Sequence, residues 1–194
     1  MNESSKAITR RTYDIRFITK YFVGHGIDIG AGSDGLGTYS HIFPQMMSCR
    51  HWDLQDGDAQ YLESIADNSY NFVHSSHCLE HMVNPHIALQ NWIRILKPGG
   101  HIIVMIPDED LYEQNIFPST FNSDHKWTFT INKHRSWSPK SVSVFNLLKT
   151  FSNIITPLKI EKLDHLYDSS SDRADQTLSP VVEAAIEFVC KKNV

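Results

Sequence analysis

Gly30, Gly32 and Gly35 follow one another at the G-x-G-x-x-G spacing, and Asp28 stands two residues before the first of them. Glycine reaches positive φ and leaves bare backbone for a ligand to lie against. A turn built this way, leaving a strand for a helix, aims free N–H groups at that ligand. The same spacing also describes a glycine loop that binds nothing. Asp28 adds to the signal, because a carboxylate inside a buried strand needs a partner, and a ligand's ammonium group would supply one. Asp53 lies about 20 residues on, where the next parallel strand ends beside the glycine turn and an acid can accept from both ribose hydroxyls. The polar turn Gln55–Gln60 follows. It reads either as a solvated loop with a helix cap or as a ring-edge clamp. In the clamp, Asp58 accepts from an exocyclic amine and the Ala59 amide donates to a ring nitrogen.

Eleven histidines are many for this length. His77 and His81 are four apart with Glu80 between them, so a helix would set both on one face. The zinc-protease order H-E-x-x-H is absent and no third ligand is visible, so no metal is assigned. His125 lies in Asp124-His125-Lys126-Trp127. A hydroxyl is a weak nucleophile unless its proton is removed during attack, and a near-neutral imidazole suits that task. His125 is therefore the first choice of general base, against the bland reading of a structural histidine. Asp124 or a more distant acid would orient it. His77, Asp108 and His134 rank behind, Asp108 because it directly follows an apolar strand, at the rim where ligands sit in open α/β sheets.

The elements that must position these residues alternate between strand and helix. An incomplete apolar stripe over 5–22 predicts an amphipathic helix. Strands are expected at 26–29, 49–53, 70–75 and 101–106, the last a continuous apolar run. Helices are expected at 36–43, ending before Pro44, and at 77–96, interrupted near Asn84-Pro85 and stopped by Lys97-Pro98-Gly99-Gly100. Residues 107–138 mix aromatics, prolines and polar groups without a period. A connection that long at a strand's C-terminal end reads as a lid over a substrate. A helix at 139–151, a strand at 154–163 bent or placed at an edge by Pro157, a loop over 168–175 and a closing strand at 185–191 complete the chain.

The 194 residues, 41% hydrophobic and 21% charged, are expected to form one globular domain. A net charge of −4, with only short basic clusters at Arg10-Arg11, Lys133-His134-Arg135 and Lys191-Lys192, disfavours a nucleic-acid partner. Three cysteines without C-x-x-C spacing fit a reducing cytoplasm. No apolar run is long enough to span a bilayer, so no membrane partner is expected. The sequence assigns no oligomeric state.

Together, I-D-I-G-A-G (27–32), Asp53, D-A-Q (58–60), F-V-H-S-S-H-C-L-E-H (72–81) and I-L-K-P-G-G (95–100) resemble the class I S-adenosylmethionine-dependent methyltransferases. The resemblance covers about residues 24–106. It implies an α/β, Rossmann-like fold: a seven-stranded, mostly parallel sheet with helices on both faces and an antiparallel last strand. It also implies S-adenosyl-L-methionine as cofactor. Asp28 and Gly30–Ala31–Gly32 would meet its methionine end, Asp53 and the adjoining Leu54 its ribose, Asp58, Ala59 and Gln60 its adenine, and Ser75, Ser76 and His77 its sulfonium. The 107–138 segment is similar to a bacterial subgroup of largely unassigned substrate. The leading expectation is O-methylation of a small polar acceptor such as a sugar. A nicotinamide-dependent oxidoreductase and a non-catalytic cofactor-binding module are the alternatives.

Overall fold

The computed structural model describes residues 3–194. Helix α1 (Glu3–Tyr13) leads to strand β1 (Gly24–Ile29), then β2 (Met46–Trp52), β3 (Tyr70–Ser76), helix α2 (Pro85–Ile95) and β4 (Leu96–Pro107). Two short strands follow, β5 (Thr128–Thr130) and β6 (Ser141–Ser143), then α3 (Val144–Lys149), β7 (Ile155–Leu163) and β8 (Ala185–Lys192).

Six strands form the main sheet in the order β2-β1-β3-β4-β8-β7, and β5 pairs with β6 in a separate two-stranded ribbon. β1–β4 are parallel, and β8 runs antiparallel to both neighbours. The sheet therefore has one strand fewer than expected: among the described residues, 57–69 between β2 and β3 form turns and no strand. β7 is an edge strand, and its register with β8 shifts between Pro157 and Lys159, as a proline without an N–H requires.

Alternation along β4 explains the two layers. Ile102, Val104 and Ile106 face a core shared with α2 and α3 through Leu89, Trp92, Ile93, Leu147 and Leu148. Ile103 faces the other side, where Ile8, Phe17, Phe22, Leu36 and Phe43 cover the sheet. The apolar run reads as buried on both faces because it is.

Several helices are shorter than their periodicity suggests. The 5–22 stripe breaks into α1 and a π-helical turn at Phe17–Tyr21, because the Asp14 carboxylate takes the Arg16 N–H and guanidinium instead of letting the helix continue. The helix expected from 77 is also broken. The His77 N–H still pairs with the Met105 carbonyl, and His77 turns at φ +52° into a 3₁₀ turn, Leu79–His81. α2 restarts where expected, with Asn84 Oδ1 accepting from the N–H groups of His86 and Ile87 and Pro85 at the first helical position. Residues 139–151 give β6 and the short α3, capped by Ser143, in place of one helix.

Candidate active site

The carboxyl ends of β1, β2 and β3 lie side by side, with Ile29 level with Trp52 and Ser75. Strand order reverses there, the place where open α/β sheets hold ligands. The Gly30 and Ala31 N–H groups donate to the Trp52 carbonyl, which fastens the glycine turn to β2 and sets Asp53 next to it. Gly30 and Gly32 take φ +76° and +53°. A Cβ on Gly30 would stand 2.6 Å from Cys78 Cβ, whereas one on Gly32 would meet nothing within 4 Å. Gly30 is a packing requirement, and Gly32 opens onto empty space. The loop leads into a 3₁₀ turn, Leu36–Ile42, rather than an α-helix. Its first free N–H, from Leu36, donates to Asp28 Oδ2 at 2.6 Å.

Asp28 therefore has protein partners and does not wait for a ligand ammonium. Its Oδ1 lies 2.5 Å from His74 Nδ1. Arg11 Nη1 lies 3.0 Å from His74 Nε2 and can only donate, so Nε2 accepts and Nδ1–H faces Asp28. Arg11 in turn donates to Glu187 Oε2 at 2.9 Å. Burial opposes charge on Glu187, but Arg11, Arg10 and Lys159 outweigh it and hold the carboxyl well below the usual carboxylate range. This buried chain behind the glycine loop is not legible from spacing, since its members lie on α1, β1, β3 and β8.

In front of the loop is a cavity of about 230 Å³. One wall is Asp28, Gly30, Ala31 and Gly32. The other is Ser76, His77, Glu80, His81 and His125, with Glu3 and Ser4 of α1 closing the top. The α1 segment is tied there by the Ser5 N–H, which donates to Asp34 Oδ2 at 2.9 Å. Ser76 Oγ, both His77 ring nitrogens and both Glu80 carboxylate oxygens are buried without a hydrogen-bond partner. Burial disfavours charge on His77 and Glu80. Even so, the carboxylates of Glu80 and Glu3 hold the His77 imidazole above its usual range, and the surrounding imidazoles hold Glu80 below the usual carboxylate range.

His125 comes from the insertion, which docks on the turn after β3. The Lys126 N–H donates to the Glu80 carbonyl, Lys126 Nζ to the His81 carbonyl, and Trp127 Nε1 to the Met82 carbonyl. The acid behind His125 is Glu113, at 2.6 Å from Nδ1. The neighbouring Asp124 pairs instead with His81 Nδ1, at 2.9 Å.

The remaining predicted residues divide. Asp53 is half-buried, and its Oδ1 caps the Leu54 N–H. Leu54 is 93% exposed. Asp58 Oδ1 accepts from the Gln60 N–H, and the Ala59 carbonyl accepts from Trp92 Nε1. Gln60 is buried with its Oε1 on the Asn84 N–H, so its side chain ties the turn to α2. Ser75 Oγ donates to the Ile29 carbonyl and joins β3 to β1. Asp108 is not brought into the cavity: it caps the N–H groups of Asp110 and Leu111 and pairs with Lys162, while burial pushes its carboxyl up. Sequence reading assigned no site role to Glu3, Ser4 or Glu113, none of which belongs to a spaced motif.

A model of the methyltransferase domain matches residues 14–149. The chain belongs to that family. It is an S-adenosylmethionine-dependent methyltransferase of the class I, Rossmann-like fold, and the oxidoreductase and non-catalytic readings are set aside. No curated protein matches. Among solved structures, the methyltransferase resembles a SAM-dependent methyltransferase from Archaeoglobus fulgidus with TM-score 0.59 at 15% identity, covering 96% of this chain and 94% of that one. One from Aquifex aeolicus gives TM-score 0.57 at 9% identity, covering 98% and 94%. The Haloferax volcanii protein solved in complex with the Trm112 methyltransferase activator gives 0.56 at 15%, covering 99% and 91%. At such identities the likeness speaks for the fold alone. No helix among the described residues is long and apolar enough to cross a membrane.

Proposed function

We propose that this methyltransferase O-methylates a small polar acceptor, such as a sugar or other hydroxylated metabolite, in the cytoplasm. The observation that carries the reading is the cavity itself, with a glycine wall facing His77, Glu80, His81 and His125. S-adenosylmethionine, when bound, supplies a methyl group on a sulfonium sulfur. Gly32, with positive φ and open space where a Cβ would be, and the unpartnered Ser76 Oγ and His77 nitrogens suit its methionine and sulfonium end. Asp28 shapes that wall through its bond to Leu36, and the Gly30 and Ala31 turn holds it against β2. Asp53, at the end of β2 beside the turn, is assigned the ribose hydroxyls, with Leu54 beside it. The turn bearing Asp58 and Ala59 is assigned the adenine edge, with Gln60 and Ser75 holding the backbone in place.

His125 is assigned the activation of the acceptor's hydroxyl. Glu113 accepts from Nδ1–H, which leaves the Nε2 lone pair on the cavity side. The 107–138 insertion, anchored on the turn after β3, serves as the lid on that side. Three free cysteines, Cys49, Cys78 and Cys190, accord with a reducing compartment. The net charge of −4 favours a small acceptor over nucleic acid. The test is release of S-adenosylhomocysteine across sugars, nucleotide-sugars, phosphorylated metabolites and phenols. Turnover of hydroxylated acceptors is expected, and turnover confined to amines would overturn the O-methylation reading.

A further inference from the structure

We propose that Glu80, His81 and His125 bind a divalent first-row transition-metal ion on the acceptor side of the cavity. Each offers one ligand atom, and these atoms all lie within 4.8 Å of one another. His81 Nε2 is 3.9 Å and His125 Nε2 is 4.0 Å from the same Glu80 Oε1. Two ligands about 2.1 Å from an ion at a tetrahedral angle stand about 3.4 Å apart, so the two Glu80 pairs close by about half an ångström and the two imidazoles, within 4.8 Å of each other, by at most about 1.4 Å.

Three further features separate this cluster from a chance meeting of polar groups. First, both imidazoles are held from behind by carboxylates, His81 Nδ1 by Asp124 and His125 Nδ1 by Glu113. That arrangement puts the proton on Nδ1, turns the Nε2 lone pairs inward, and is the usual support of a metal-ligating histidine. Second, Glu80 is fully buried, and neither of its oxygens has a hydrogen-bond partner. Its Oε1 faces three imidazoles at 3.5–4.0 Å, longer than hydrogen bonds, a spacing that leaves room for an ion between them. Third, His77 Nδ1 is 3.5 Å from the same Glu80 Oε1, so the cluster borders the residue assigned to the sulfonium end of the cofactor. Two imidazoles and one carboxylate suit zinc, cobalt, manganese or iron rather than magnesium or calcium, and such a set leaves positions open.

What the ion does rests on the proposed function; the site itself does not. An acceptor hydroxyl bound at an open position becomes more acidic and releases its proton to solvent. The oxygen then forms its bond to the methyl carbon as the carbon–sulfur bond breaks and its electron pair stays on sulfur. His125 then acts as a ligand, with its Nε2 lone pair on the ion.

The experiment uses tag-free full-length protein stripped with a chelator, titrated with Co²⁺ and followed by its visible absorption and by calorimetry. One ion per chain is expected. Glu80→Gln, nearly isosteric, and His81→Ala, at a partly exposed position, should each abolish the Co²⁺ band while the thermal melt stays cooperative. Glu113→Gln should weaken binding about 10–100-fold. Binding of S-adenosylhomocysteine is measured on the same samples. Cofactor binding without any Co²⁺ band overturns the metal site and leaves the methyltransferase reading standing. A Co²⁺ band without cofactor binding supports the metal site and counts against the assigned cofactor wall. A band that survives both Glu80→Gln and His81→Ala also overturns the proposal.

Discussion

Glu113 Oε1 and His125 Nδ1 lie 2.6 Å apart, both side chains buried, and the pair joins a π-helical turn after β4 to a loop twelve residues further on. The contact fixes the imidazole's tautomer and aims its other nitrogen at the glycine-loop cavity. It turns an ordinary loop histidine into a directed group.

His125→Ala is expected to lower turnover by about 10²–10⁴-fold, the usual share of a positioned catalytic group. S-adenosylhomocysteine affinity should stay nearly unchanged. Glu113→Gln should give the milder loss of a supporting residue, about 10–100-fold. Steady-state rates set beside calorimetry decide the matter. A loss below about tenfold for His125→Ala, with normal cofactor binding, would move the role to His77.

Asp53→Ala should weaken cofactor binding by about tenfold or more, since a charge-assisted hydrogen bond contributes roughly 1.5–3 kcal/mol and a decade is about 1.4. Stability should change little, because Asp53 is only half-buried and its side-chain hydrogen bonds within the fold cap one short 3₁₀ turn. Unaltered affinity in a folded variant would remove the ribose assignment.

The two glycines of the turn should fail in different ways. Gly30→Ala puts a Cβ 2.6 Å from Cys78 Cβ and should lower the melting temperature. Gly32→Val meets no neighbour but forces a β-branched residue to φ +53° on the cavity wall. It should weaken cofactor binding more than it lowers stability. Melts and titrations on both variants separate the effects, and a Gly32→Val protein that binds normally would mean that the cofactor lies elsewhere.

Glu187→Gln should cost about 3–5 kcal/mol at pH 7, because it leaves the buried Arg11 without its counter-charge. The sign with pH follows from a depressed carboxyl. Its contribution is fully present above the unfolded value of about 4.3 and is lost as pH falls through the folded one. Denaturant unfolding should therefore show the gap between wild type and variant narrowing below about pH 4. A gap that stays constant down to pH 2.5 would show that Glu187 is not the titrating group.

The strand and glycine pattern over 26–106 was readable because each piece is local. β-branched runs make strands, positive φ selects glycine, and Asn84-Pro85 starts a helix wherever the chain goes next. That order was enough for the family and for placing Asp53 beside Gly30. Helix lengths were less readable, since Asp14 and His77 end helices by contacts that compete with periodicity. The partners of buried charge could not be read at all. Asp28 meets His74 across β1 and β3, and Arg11 meets Glu187 from opposite ends of the chain. His125 reaches Glu80 and His81 across more than forty residues, because the insertion folds back onto the turn after β3. Spacing set His77 and His81 four apart with no third ligand in view; only the tertiary structure brings His125 to Glu80 and His81, since a side chain's neighbours in space are set by how elements pack and not by their order along the chain.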